Sequence, residues 1–269
     1  MRRSIFPVAC AAIIVLIVLA SVAAPVLAPY REAALVGEPW EAWSFKHPLG
    51  TDSLGRDMLS RLLFGTRNTI AVALAATLLS FAIGVTLAGM AAVFSGWVDQ
   101  IISRSVDIFM SIPTLIMALV VLSVLGNAIP VLVCVIGVLD ATRVFRLARA
   151  LAADVMALDY VETARLRGEG LGWFIRREIL PNVMPSLLAE FGLRFTFAAL
   201  FLSSLSFLGL GIRPPHSDLG GLVKENVSAI SFGVWVPLVP AVTIAVITVT
   251  VNALVDWQVR RSTAKAAPR

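Results

Sequence analysis

The sequence predicts an all-α membrane protein of six transmembrane helices with both termini in the cytoplasm, and three observations carry that prediction. Of the 269 residues, 58% are hydrophobic and 14% charged, well below the roughly 25% charged of an ordinary soluble domain. Long charge-free stretches recur along the chain, each of the order of the about 20 residues that cross a hydrocarbon core of about 30 Å. Lys and Arg are dense in alternate inter-helix segments and sparse in the others, the bias that orients a chain in a membrane.

The first stretch, Ser4 to Tyr30, follows Arg2 and Arg3 in the order of a signal peptide. It is too long for an apolar region of about 7–15 residues and reads as an uncleaved first span over 5–28. No charge separates Arg67 from Asp99, which gives a second span over 69–94. The gap from Asp107 to Asp140 is too long for one span, and Gly126, Asn127 and Pro130 break it into two antiparallel helices, 107–126 and 129–148. The gaps from Arg194 to Arg213 and from Glu225 to Asp256 give the last two, 186–210 and 235–256. Fourteen Lys and Arg fall on one side of these spans and seven on the other, with Arg194 inside the fifth span left uncounted. Positive-inside bias then places the N-terminus, the loop after the fourth span and the tail in the cytoplasm. The same bias accounts for the net charge of +5 without nucleic acid, for which the sequence has no fold signature.

Cys10 and Cys134 lie in apolar runs without a CxxC or a His nearby, so neither a disulfide framework nor a metal site is indicated. The only histidines, His47 and His216, fall in extracytoplasmic loops, and no HExxH pair or Ser/His/Asp constellation lies in a span. Intramembrane catalysis is therefore unsupported. Ion-coupled carriers need ionisable groups near the midplane; the candidates are Glu190 and Arg194, spaced i to i+4 in the favourable order. They read as a structural pair near the cytoplasmic end of the fifth span, with a gate as the alternative. The chain has no GxxxxGK[ST] loop, and Lys46, Lys224 and Lys265 follow no glycine-rich cradle. The chain is thus not an ATPase, and ATP-driven work would need a separate subunit.

Three stretches carry more than hydropathy. In the first, from His47 to Gly65, Leu54, Met58 and Leu62 recur at i+4, which suggests a short interfacial helix capped by Thr51, Asp52 or Ser53. The plainer reading is a connector that seats the second span. In the second, the cytoplasmic loop, Asp159 to Arg167 reads as helix with Gly168 as its stop. A further helix over 172–179 is expected to end by Leu180-Pro181, because proline disfavours helix in the residue before it. Two short Arg-rich helices with no core of their own need the membrane surface or another protein. A lipid anchor needs only basic residues, whereas this loop also fixes a Glu, a Gly and a Leu-Pro at definite spacing. The third stretch is Ser206-Phe207-Leu208-Gly209-Leu210-Gly211-Ile212-Arg213-Pro214-Pro215. Pro113, Pro237 and Pro240 mark places where helices kink and gate, or simple packing irregularities.

Glu162-Thr163-Ala164, three residues, Gly168, then Leu180-Pro181 resembles the EAA loop of bacterial ATP-binding-cassette (ABC) importer permeases, the element that docks on the ATPase subunit. It departs at Thr163, where the family usually has Ala, and the motif isoleucine is Ile179. The stretches over 47–61 and 206–215 resemble the dipeptide, oligopeptide and nickel permeases, and the likeness runs from about Leu49 to Asp256. Leu202 stands where many members have an acidic residue, a change that bears on the pore; Asp256-Trp257-Gln258-Val259-Arg260 replaces a frequent Asp-Pro-Arg.

The resemblance implies a type I ABC importer permease fold. Residues 1–68 would form the N-terminal transmembrane helix and extracytoplasmic connector, and 69–269 the permease core, with the coupling loop at about 150–185. Glu162, Thr163, Ala164, Gly168, Leu180 and Pro181 would couple to the ATPase; substrate-binding residues stay unassigned. No cofactor is implied in this chain, since ATP and Mg would be bound by two partner ATP-binding subunits. A related second permease subunit would complete a pseudo-twofold pore in the bacterial cytoplasmic (inner) membrane. An extracytoplasmic substrate-binding protein would meet the loops around 30–67 and 211–231. Di- or oligopeptides lead as cargo, ahead of nickel or a metal chelate, then other small solutes. The rival from another class is a membrane scaffold that recruits a cytoplasmic partner through the same loop, and a continuous polar pathway would separate the two.

Overall fold

The computed structural model describes residues 5–266, and the side chains of Ile5, Glu162, Arg165 and residues 262–266 stand outside that description. Arg2, Arg3 and Arg269 and the side chain of Lys265, which enter the charge bias, therefore lie outside the described residues. The described chain is helical almost throughout. It runs α1 (Ile5–Val22), α2 (Ala24–Leu27), α3 (Met58–Phe94), α4 (Gly96–Ser111), α5 (Thr114–Leu125), α6 (Ile129–Met156), α7 (Asp159–Leu166) and α8 (Leu171–Trp173). A π-helical turn, Phe174–Ile179, leads into α9 (Leu180–Phe207), followed by α10 (Leu219–Asn226), a 3-10 turn (Val227–Phe232) and α11 (Leu238–Ala266).

Helices occupy all six stretches predicted as spans. Three, Met58–Phe94, Leu171–Phe207 and Leu238–Arg261, are each long and apolar enough to cross a membrane, and the bent pair α4 and α5 makes a fourth if counted as one. The bend is 86° and sits at Ile112 and Pro113, where Ile112 is extended (φ −89°, ψ 131°). Proline has no N–H for the helix and disfavours helical geometry in the residue before it, so the expected third helix over 107–126 is two helices. Pro237 and Pro240 fall just before and within the first turn of α11; there the missing N–H would be unpaired anyway, and no kink results.

The centre of the fold is the α3–α6 pair. A Cβ built on Gly84 would lie 2.8 Å from Val144 Cβ, and one on Gly137 would lie 3.0 Å from the Ala76 carbonyl oxygen, so only glycine permits this approach. Small residues at such contacts bring helix backbones together where lipid gives no hydrophobic drive. The helix α9 packs across both, α11 lies on α9, and α1 lies against α11 and α3. One core cluster gathers Val72, Ala76, Leu122, Leu132, Ile136, Leu202 and Leu205. Another gathers Ala88, Ala91, Phe145, Ala148, Ala152, Ile179 and Leu187.

Two expected boundaries are corrected. Residues 54–57 form turns and isolated bridges rather than an interfacial helix, and the helix that starts at Met58 is α3 itself. Its cap is Asp57, which accepts the Ser60 N–H, and not Thr51, Asp52 or Ser53. The helix of the cytoplasmic loop does not end at Leu180-Pro181: Leu180 is helical (φ −53°, ψ −48°) and the chain continues into α9. The π turn before it supplies the reason. In a π register each carbonyl is reached by a donor one residue further on, so a proline with no N–H can be passed without ending the helix.

Candidate functional site

The loop over 157–179, expected on the cytoplasmic side, is built as a small clasp. Val161, Ala164 and Phe174 are buried together, with Trp173, Met156 of α6 and Val93 of α3 against them. Gly168 has φ +78°, and the Glu169 N–H reaches back to the Ala164 carbonyl at 3.4 Å, the six-to-one bond of a glycine-terminated helix. Arg167 lies 5.8 Å over the Trp173 ring, which closes the turn. Tyr160 Oη accepts from Asn182 Nδ2 at 3.2 Å and so ties α7 to the first turn of α9.

Among the residues expected to couple, Ala164 is buried, Thr163 is exposed, Leu180 is half-buried and Pro181 is exposed. The backbone of Glu162 lies in α7, and its side chain is outside the described residues. Burial of Val161 and Ala164 turns Thr163 and Leu166 outward, and Leu166 is 84% exposed. Arg167, next in sequence, and Arg176 and Arg177 of the π turn are exposed as well.

At the opposite end, the stretch from His47 to Arg61 is more than a connector. Asp52 and Arg61 are fully buried. Asp52 Oδ2 accepts from Arg56 Nε at 2.6 Å and Arg61 Nη1 at 2.7 Å. Both arginines also pair with Glu225 of α10, Arg56 at 2.7 Å and Arg61 at 2.5 Å. Ser53 N donates to Asn226 Oδ1, and His47 Nδ1 is 3.2 Å from Asp57. Burial acts to raise the Asp52 pKa, but the N–H groups of Arg56 and Leu54, with Arg61 and Arg56, outweigh it and hold the carboxyl below its ordinary value. Asp218 caps α10 through the Gly221 N–H and accepts from Ser206 Oγ at 2.8 Å; burial raises its pKa beyond what these hydrogen bonds lower it. Glu32 takes the N–H and hydroxyl of Ser217 at 2.7 and 2.9 Å. The glycine-rich stretch after Ser206 joins through Asn127, which donates to the Gly211 carbonyl and accepts from Arg213 Nε. The loops around 30–67 and 211–231 are thereby one surface. Glu32 and Glu225 escape a reading of the sequence because their partners lie 185 and 164 residues away.

A third cluster lies between these ends. Glu190 and Arg194 form the expected ion pair at 2.7 Å, and Arg194 also donates to Asp140 of α6 at 3.2 Å. Because α9 begins at Leu180 rather than 186, the pair sits in the middle of the helix and not near its cytoplasmic end.

The chain matches the family described as binding-protein-dependent transport system inner membrane component over residues 82–265. It is 32% identical over 250 residues to the dipeptide transport system permease protein DppC of Haemophilus influenzae, covering 90% of this chain and 85% of that protein. It is 33% identical over 216 residues to the glutathione transport system permease protein GsiD of Pectobacterium atrosepticum, covering 80% of this chain and 72% of that protein. In structure it resembles a chain from the crystal structure of an amino acid ABC transporter with histidines, with a TM-score of 0.55 and 20% identity over 76% of this chain and 93% of that one. The helical scaffold and the extent of these matches agree, and the chain belongs to the binding-protein-dependent transport system inner membrane components, the permease subunits of ABC importers.

Proposed function

We propose that this permease crosses the bacterial inner membrane six times, with both termini in the cytoplasm, and forms half of an uptake path for di- or oligopeptides. A related second permease subunit completes the path. Two ATP-binding subunits, which hold ATP and Mg, drive it through the loop at 150–185, and an extracytoplasmic binding protein delivers the solute to the surface made by residues 30–67 and 211–231. The names of the relatives that transport dipeptides and glutathione support the cargo class.

The observation that carries the coupling assignment is the build of the clasp. Its apolar side is spent on Val93 and Met156, while Thr163, Leu166 and Arg167 face outward on a helix too short to stand alone. ATP-driven closure of the ATPase subunits would push on this surface, and the π turn would carry the displacement into α9 without a flexible joint. Glu162 would face the ATPase, Gly168 would set the angle between α7 and α8, and Leu180-Pro181 would lead into the fifth span.

The test is uptake of a labelled dipeptide by vesicles holding the full complex, with ATP hydrolysis measured alongside. Glu162→Lys should abolish uptake and solute-stimulated hydrolysis while the chain stays in the membrane at wild-type level. Normal uptake in that variant overturns the coupling assignment; a wild-type complex that hydrolyses ATP without moving any dipeptide overturns the cargo.

A further inference from the structure

Asp140 is 98% buried on α6, as its relative exposure is 2%. Eleven residues separate it from the start of that helix at Ile129, or about 16 Å at about 1.5 Å per residue, half the thickness of a hydrocarbon core. Arg194 is equally central in α9. Around Asp140 Oδ1 stand Arg194 Nη1 at 3.2 Å and Arg143 Nη1 at 3.6 Å, and Glu190 holds the far side of Arg194. Arg143 also reaches Thr114 of α5 at 3.3 Å. The Phe197 ring lies under both guanidinium groups, 4.3 Å from Arg143 and 5.8 Å from Arg194.

The four charges cancel, yet they are not all used. Asp140 Oδ2, Arg143 Nη1 and Arg194 Nε are buried without a hydrogen bond, although Arg194 Nε is ion-paired with Glu190, and an ionised group left unpaired in a low-dielectric setting is costly. The Arg143 side chain is 32% exposed. A charged group at this depth faces a protein interior or water, not lipid. The face of α5, α6 and α9 that carries Arg143 and Phe197 is therefore turned to water or to another protein surface, and not to lipid.

We propose that Asp140, Arg143, Glu190 and Arg194 form a polar station on the solute path, at which Arg143 takes the carboxylate of a passing peptide. The proposal rests on the peptide-importer reading above and deepens it. Arg143 is the receiving group because it is the less committed arginine: its link to Asp140 is longer than a hydrogen bond, whereas Arg194 is held by both carboxylates. Asp140 and Glu190 fix Arg194, which with Phe197 keeps the Arg143 guanidinium in place, and the free Asp140 oxygen suits the ammonium end of the same solute.

Two measurements on the reconstituted full complex test this. In a chain carrying Cys10→Ser and Cys134→Ser, the variants Phe197→Cys and Thr114→Cys should react with a charged, membrane-impermeant thiol reagent at least about tenfold faster than Val249→Cys on the exposed side of α11. Equal rates at all three positions overturn the aqueous face, whatever the complex transports. With binding protein saturated by a dipeptide, Arg143→Gln should lower the maximal uptake rate at least about tenfold, the effect of one charge-assisted hydrogen bond. Arg143→Lys should recover most of the loss, and both variants should be present in the assembled complex at wild-type level with wild-type unfolding temperature, which a defect in folding would not allow. Wild-type uptake by Arg143→Gln overturns the station, as does a loss that Arg143→Lys does not relieve. If the wild-type complex moves no dipeptide, the importer reading and the carboxylate role fall together, and the thiol rates still decide whether the face is wet.

Discussion

Ile175 of the cytoplasmic clasp lies on Gly89 of α3 so closely that a Cβ built there would be 2.7 Å from both Ile175 Cγ1 and Cδ1. Gly89→Val should push the clasp off its seat at a cost of about 1–3 kcal/mol, the usual range for overpacking. The expected result is uptake lost with the chain still inserted, and relief of that loss when Ile175→Ala is added. Uptake and stimulated ATP hydrolysis of the single and double variants check it; a double variant no better than the single contradicts the seat.

Gly168 separates backbone geometry from space. Among the described residues no atom lies within 4 Å of where its Cβ would be, so substitutions there are expected to act through the φ of +78°. Gly168→Val should abolish stimulated hydrolysis, since a β-branched residue is strained in that region, and Gly168→Asn should keep most of it. Equal loss in both variants would mean that something other than the turn requires this glycine.

The buried arginine at the opposite end makes a stability prediction. Arg61 is fully buried and bonded to Asp52 and Glu225, and removal of one partner from a buried ion network costs about 3–5 kcal/mol. Arg61→Met should lower the thermal unfolding temperature of the purified chain in detergent far more than a surface change such as Arg146→Met, whose partner Asp107 is exposed.

Asp52 gives the network a defined response to acid. Its native pKa is lowered from the ordinary 3.8, so the unfolded state binds the proton more readily. The stability it contributes is complete well above 3.8 and is lost as pH falls through the native value. The difference in unfolding temperature between wild type and Asp52→Asn should be largest at neutral pH and shrink as pH falls below 3.8. A difference that grows on acidification would contradict the assignment.

Much of this architecture was legible in the sequence because charge gaps and turn residues are local signals. The break at Gly126 and Asn127 falls where read, and Gly126 takes φ +79°. The glycine stop of α7 was legible for the same reason. Reading failed where a distant partner changed the rules. Asp140 lies within a predicted span, and its hydrogen-bonded partner there, Arg194, is 54 residues on. The residues from Asp52 to Arg61 look like a polar connector until Glu225, 164 residues from Arg61, turns them into a buried network. The helix through Pro181 was hidden because a π register leaves no mark in hydropathy.

The helix α3 touches both of these worlds. Near its start Arg61 is clamped to α10, and 28 residues later Gly89 receives Ile175. That is about 42 Å of continuous helix with no proline in it. A push-rod of this kind has no elbow to absorb movement, so in the proposed complex docking of a binding protein at one end and engagement of an ATPase at the other would strain the same rigid part, and each event would change the work the other must do.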